Sequence, residues 1–194
     1  FPLYAMAHDL AMRSVEPLGR LAQLGGALRA SPQNAKRAFS AGGQVLVYPG
    51  GELEAYRHFR DRDRIVFGER TRFVRLAQEA GVPIVPIVAH GAHRSAVVVH
   101  EGEWLAGAIP TSRRQRLRRF PIALALPWGL AVGPWIPYAP LPFPIRLRFL
   151  PPIDVTGESL QAGRASVVDA MPSPPGKRAD ERHCPGFQLF LRPI

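Results

Sequence analysis

Short apolar runs rich in β-branched residues alternate along this chain with stretches of helical period, and the alternation holds to about residue 155. Leu3, Met6, Ala7, Leu10 and Ala11 recur at helical spacing, and Leu18, Leu21 and Leu24 continue beyond Pro17. A helix is therefore expected over 3–24, closed by Gly25-Gly26. Residues 27–30 read as a short extended piece. Ser31 as N-cap and Pro32 at the first helical position open a helix that runs to about Ala41. Gln44 to Tyr48 is a buried strand, entered through Gly42-Gly43 and stopped by Pro49. Residues 52–64 form a polar loop. A helix follows over 69–80, with Phe73, Leu76, Ala77 and Ala80 as its apolar stripe, Gly81 at C′ and Pro83 blocking continuation. Ile84 to Ala89 is a second buried strand. Strand, crossover helix and strand in this order predict a parallel, right-handed βαβ unit.

Ala96 to Val99 reads as a short strand and 101–109 as a weak helix. Arg113, Arg114, Arg116, Arg118 and Arg119 then crowd together, and Phe120 to Ile145 holds no charged residue. Seven prolines interrupt that run, so a continuous spanning helix is excluded. Two compatible readings stay open: a basic and aromatic segment resting on a membrane interface, or a strand at Ile122 to Leu126 followed by a proline-rich loop on the core. Ile145 to Leu150 alternates apolar and basic residues, as a strand with one wet face does. Residues 156–194 cluster Gly and Pro without a sustained period and are expected to be an irregular or disordered tail. The pattern as a whole predicts an α/β domain over 1–155, with a mostly parallel central sheet flanked by helices.

At 194 residues and 46% hydrophobic content the chain suits one folded domain. Its net charge of +10 rests almost wholly on arginine, since only Lys36 and Lys177 are lysines. Arginine favours bidentate contact with phosphate, which points to an anionic membrane surface or to nucleic acid. Acids interleaved with the arginines over 52–79 allow a plainer reading, a GC-rich genome writing Arg for Lys. The single cysteine, Cys184, excludes an internal disulfide. The first residues carry no signal-peptide pattern and no initiator Met, so the chain is expected to begin inside a longer protein.

The stretch with the most chemical promise is Tyr48-Pro49-Gly50-Gly51-Glu52-Leu53-Glu54. A strand that ends in two glycines and then acids is a common binding-site position in an α/β sheet, because bare backbone N–H groups can face a ligand there. The histidines offer less. His90, His93 and His100 have no acid or cysteine at ligand spacing, so no metal is expected. His8 and Asp9 are adjacent and point apart on a helix, His58 and Asp63 sit in a polar loop, and Cys184 has no evident base. Nucleic-acid binding would rest on charge alone and is not expected.

Tyr48-Pro49-Gly50-Gly51-Glu52, with Val82-Pro83-Ile84-Val85-Pro86-Ile87 some thirty residues on, resembles the third and fourth motifs of the PlsC-like glycerolipid acyltransferase superfamily. Gly26-Ala27-Leu28-Arg29-Ala30-Ser31 sits where the second motif would fall. Leu126-Pro127-Trp128-Gly129-Leu130 and Pro142-Phe143-Pro144-Ile145 are similar to a bacterial branch. The resemblance covers roughly residues 1–155. Gly50 stands where the family's usual third motif has Glu, and Gly50-Gly51-x-x-Glu54 is closer to the diacylglycerol acyltransferase type. The family's His-x4-Asp pair is not found ahead of the turn, and the catalytic residues are expected upstream of Phe1.

The resemblance implies acyl transfer from acyl-CoA or acyl carrier protein to a hydroxyl of diacylglycerol or lysophosphatidate, with a histidine as general base and no cofactor beyond the thioester. Gly50 and Gly51, after Tyr48 and Pro49, would shape the pocket. Backbone donors at the turn would hold acceptor or thioester oxygens. Glu52 and Glu54 would orient substrate or neighbouring arginines, and Arg29 is a candidate for a phosphate or headgroup. The implied location is peripheral, at the cytoplasmic face of a membrane. A chain without the base is expected not to turn over. A non-catalytic lipid- or membrane-binding module is the alternative.

Overall fold

The computed structural model describes residues 2–7, 20, 22–62, 68–91, 94, 97–109, 118–125, 129–133, 141–171 and 187–191. Among them lie nine strands: β1 (Leu3–Ala7), β2 (Ala27–Arg29), β3 (Gln44–Val47), β4 (Ile84–His90), β5 (Val97–His100), β6 (Ile122–Ala125), β7 (Gly129–Val132), β8 (Arg146–Phe149) and β9 (Phe187–Leu191). The helices are α1 (Pro32–Ser40), α2 (Glu52–Ala55), α3 (Arg72–Ala80), α4 (Glu103–Ala108) and α5 (Leu160–Asp169). The chain is thus a mixed α/β protein.

Six strands form one sheet in the order β2-β1-β3-β9-β4-β8. The pairings β1–β2 and β1–β3 are parallel, whereas β3–β9, β9–β4 and β4–β8 are antiparallel. The expectation of a mostly parallel sheet is corrected accordingly. β3 and β4 do share a sheet and a direction, as the strand–helix–strand pattern predicts, but β9 lies between them and pairs with both. The remaining strands make a second, antiparallel sheet in the order β5-β6-β7.

Local signals explain the helices. Ser31 caps α1 by accepting the Asn34 N–H at 3.2 Å, and Pro32 follows at the first turn. Gly81 ends α3 in the left-handed conformation, φ 62°, as the C′ position requires. Ser159 caps α5 in the same way as Ser31 caps α1. The register of β3, β4 and β9 puts Val45, Ile84 and Leu191 on one face of the sheet. Ala35 and Ala38 of α1, Phe73, Val74 and Ala77 of α3 and Val167 of α5 close a single core over that face. Gly163 lets α5 come in tightly, because a Cβ there would meet the Val74 side chain at 2.7 Å.

Several expectations are corrected. Leu3–Ala7 is a strand, not the start of a helix; five residues of mixed apolar character satisfy either period, and parallel partners on both sides decide the matter. Residues 8–19 lie outside the described set. The polar loop contains α2 and a 3₁₀ turn at Phe59–Asp61. The proline-rich segment yields β7, hydrogen-bonded to β6. The tail expected to be irregular contributes a capped helix, α5, and the central strand β9. β8 has no buried side at all: its four residues are exposed.

Leu191 is fully buried where β9 meets both β3 and β4. Leu191→Ala is expected to lower unfolding stability by about 2–4 kcal/mol in urea titration, the cost of a cavity in a well-packed core. A loss under about 0.5 kcal/mol, the scale of surface substitutions, would show that β9 is not central.

Candidate functional site

β1, β2 and β3 run in one direction, so their carboxyl ends share an edge of the sheet. The register sets Arg29 opposite Ala7, and Ala5 opposite Leu46, so Ala7 is level with both Arg29 and Tyr48. Arg29 and the bend after β3 are then two strand spacings apart, about 10 Å. Arg29 is exposed there, and its carbonyl accepts from the Asn34 side chain at 2.9 Å.

The bend is a tight turn in which the Gly51 N–H donates to the Tyr48 carbonyl at 3.1 Å. Gly51 has φ 54° and ψ −132°, a region open only to glycine. Arg70, ahead of α3, reaches back to the turn. Its Nη1 donates to the carbonyls of Gly50 at 3.0 Å and Pro49 at 3.3 Å. A Cβ on Gly51 would stand 2.6 Å from that nitrogen. Pro49 and Gly50 are buried, Gly51 and Glu52 half-buried, and Tyr48 is 45% exposed. The Gly51 N–H is therefore engaged within the turn, and Gly50 contributes packing more than surface. The open rim consists of Tyr48, Gly51 and Glu52.

The two acids part company. The Glu52 carboxylate accepts the Arg118 N–H at 3.2 and 3.3 Å. Glu54 is buried, with Arg57 beside it at 3.7 Å on the same helical turn. Arg57 also donates to the Arg62 carbonyl at 2.7 Å, and the Arg62 guanidinium lies 4.4 Å over the Phe59 ring. Glu54 thus orients an arginine and is not at the rim. Arg119 binds the Leu53 carbonyl at 2.8 Å and Glu101 at 2.7 Å, and Glu101 also accepts the His58 N–H at 2.9 Å. These contacts fasten the segment after the turn to the strand and loop leading out of β5 and into β6.

The covered part of the Tyr48 ring pushes its phenol above the ordinary range, and the negative charge of Glu54 adds in the same direction. Two of the histidines considered above serve as caps. His58 Nδ1 accepts the Arg60 N–H at 3.0 Å, and His100 Nδ1 accepts the Gly102 N–H at 2.8 Å. His8, Asp9, Asp63, His93 and Cys184 lie outside the described residues. Among the described residues no three His, Cys, Asp or Glu side chains come together to hold a metal ion, and no helix is long and apolar enough to cross a membrane. Arg57 could have been found from its i,i+3 spacing to Glu54. Arg70, Arg118 and Arg119 carry no local signal, since each acts on a segment 20 or more residues away.

No family model matches the chain, and no solved structure matches it.

Gly51→Ala is expected to cost about 1–3 kcal/mol of unfolding stability, from backbone strain and from displacing Arg70. Arg70→Met, alone and combined with Gly51→Ala, isolates the Arg70 contribution, because the backbone strain at residue 51 is the same with and without the guanidinium. A Gly51→Ala loss that is unchanged in the Arg70→Met background would refute the clamp. Phenolate absorbance gives a second check. The fold favours neutral Tyr48, so its contribution is complete below the ordinary phenol value of about 10 and is lost as pH rises through the higher folded value. Tyr48→Phe should remove a late-titrating step and the stability loss in that window.

Proposed function

We propose that this chain is a PlsC-like glycerolipid acyltransferase scaffold, working peripherally at the cytoplasmic face of a membrane. The reaction class is transfer of an acyl group from acyl-CoA or acyl carrier protein to a glycerolipid hydroxyl. The observation that carries the reading is the shared edge of β1, β2 and β3. It gathers the Tyr48–Glu52 bend and Arg29, the two segments whose sequences resemble the family's third and second motifs. An open edge of parallel strands is where α/β sheets bind ligands. Arg29 is the cation that an acceptor phosphate would meet at this edge, and Tyr48, Gly51 and Glu52 form the wall nearer β3.

The rival reading is a non-catalytic lipid-binding module. It is favoured by the capping roles of His58 and His100, which leave neither ring placed as a base beside the bend. The chain's charge alone supports nucleic-acid binding, and no described contact adds to it.

Binding of labelled acyl-CoA, lysophosphatidate and diacylglycerol, followed by a turnover assay with the same compounds, tests these readings. Arg29→Ala is expected to weaken lysophosphatidate about tenfold, near 1.4 kcal/mol, and to leave diacylglycerol unchanged. Equal effects on both lipids would remove Arg29 from headgroup recognition. Turnover lost on His8→Ala or His90→Ala but kept on His58→Ala supports the enzyme. Lipid binding without turnover supports the module, and absence of binding overturns both.

A further inference from the structure

β8 is the outermost strand of the six-stranded sheet, with β4 on one side and no strand among the described residues on the other. Its register sets Leu147 opposite Ala89 and Phe149 opposite Ile87, while Arg146 and Arg148 fall opposite His90 and Val88. Directly opposed residues share a face. Leu147 and Phe149 therefore lie on one face of the sheet and the two arginines on the other. Ala89 and Ile87 are buried, yet Leu147 is 54% and Phe149 62% exposed. Phe143 and Ile145, on the approach to the strand, are 47% and 53% exposed as well. Edge strands are ordinarily protected by charge or covered. Here half of the strand is large, apolar and open to solvent, and Arg146 and Arg148 form no ion pair among the described residues.

A second copy of the chain is a poor occupant. Antiparallel self-pairing about a two-fold axis normal to the sheet keeps each residue on its own face. Every such register that opposes more than one residue of Arg146-Leu147-Arg148-Phe149 sets an arginine against an arginine. Like charges directly opposed are destabilising. The chemistry that suits both halves of the strand is a layer with anionic phosphates above hydrocarbon.

We propose that residues 143–149 are the element by which this protein docks on an anionic bilayer. The stretch is about 20 Å long. Leu147, Phe149 and the two apolar residues before them enter the boundary between headgroups and acyl chains. Arg146 and Arg148, on long stems at the rim, reach the lipid phosphates. The free backbone edge stays at headgroup depth, where water satisfies its N–H and C=O groups. The proposal shares the membrane premise of the function proposed above, and it narrows the contact to the end of the uncharged run and the edge strand that follows it.

Flotation of the full chain with vesicles of phosphatidylcholine and phosphatidylglycerol tests it. The Leu147→Ser/Phe149→Ser variant is expected to lose tenfold or more in partitioning. Arg146→Gln/Arg148→Gln should lose a comparable factor at low salt and little at high salt. Leu124→Ser/Leu130→Ser, altering exposed residues of the β6–β7 hairpin, should float as the unaltered chain does. All substituted residues except Arg146 and Arg148 are exposed and apolar, and circular dichroism confirms that each variant is folded. Phe149→Trp retains an aromatic ring, and brominated lipid should quench its added fluorescence. Flotation by the unaltered chain that survives the β8 variant or is lost with the hairpin variant overturns the docking element and leaves the membrane reading standing. No flotation by the unaltered chain overturns both.

Discussion

Backbone hydrogen bonds from Phe187–Leu191 run to both sides, to β3 and to β4, and the architecture depends on this double ladder. β1, β2 and β3 would otherwise form a small parallel set, and β4 with β8 an antiparallel pair. β9 gives both sets a partner, and Leu191 packs into the core the helices close. The antiparallel sense has a consequence for the site. Phe187, the first residue of β9, is opposite Val88, near the carboxyl end of β4. The start of β9 therefore occupies the edge between the ends of β3 and β4. The carboxyl ends of β1 and β2, with Arg29, lie on the other flank of β3.

Charge organises the segment that follows the bend. Taking Glu54 and Arg57 out of water costs several kcal/mol per ion, and a buried pair offsets that only when further hydrogen bonds share the load. Arg57 has one in the Arg62 carbonyl. Arg119 then ties Leu53 to Glu101, and Arg118 ties its own backbone to Glu52, so the polar segment is fixed from both sheets. Arg70 holds the turn itself from the approach to α3. An arginine-rich, lysine-poor composition suits this use, since a planar guanidinium can serve two carbonyls or a carbonyl and a carboxylate at once. Part of the +10 charge is thus structural, while Arg146 and Arg148 remain at the surface.

Features written in local chemistry were legible from the sequence alone: the Ser31 cap, the Gly81 stop, the β-branched run of β3 and the length of β4. The bend after Tyr48 and the extended piece at Ala27–Arg29 were legible too, and so was the shared direction of β3 and β4. β1 was not, because Leu3, Met6 and Ala7 fit a helix as well as a strand until neighbours are known. β9 was not, because Phe-Gln-Leu-Phe-Leu is a five-residue run beyond a stretch dense in Gly and Pro, and its partners lie about 100 and 140 residues earlier. In the candidate site, the positions of Tyr48 to Glu52 followed from the strand and its stop signal. The burial of Gly50 did not, since Arg70 reaches it from 20 residues on, and the burial of Glu54 did not either, although its partner Arg57 is local.

The histidine geometry bears on what the bend can do. A neutral imidazole whose Nδ1 accepts a backbone N–H carries its proton on Nε2, so neither nitrogen offers a lone pair to a substrate hydroxyl. In His58 and His100 it is Nδ1 that accepts a backbone N–H. The carboxylate at the rim, Glu52, already accepts a backbone N–H. The described residues of the bend are therefore suited to shape that edge and to hold charge there.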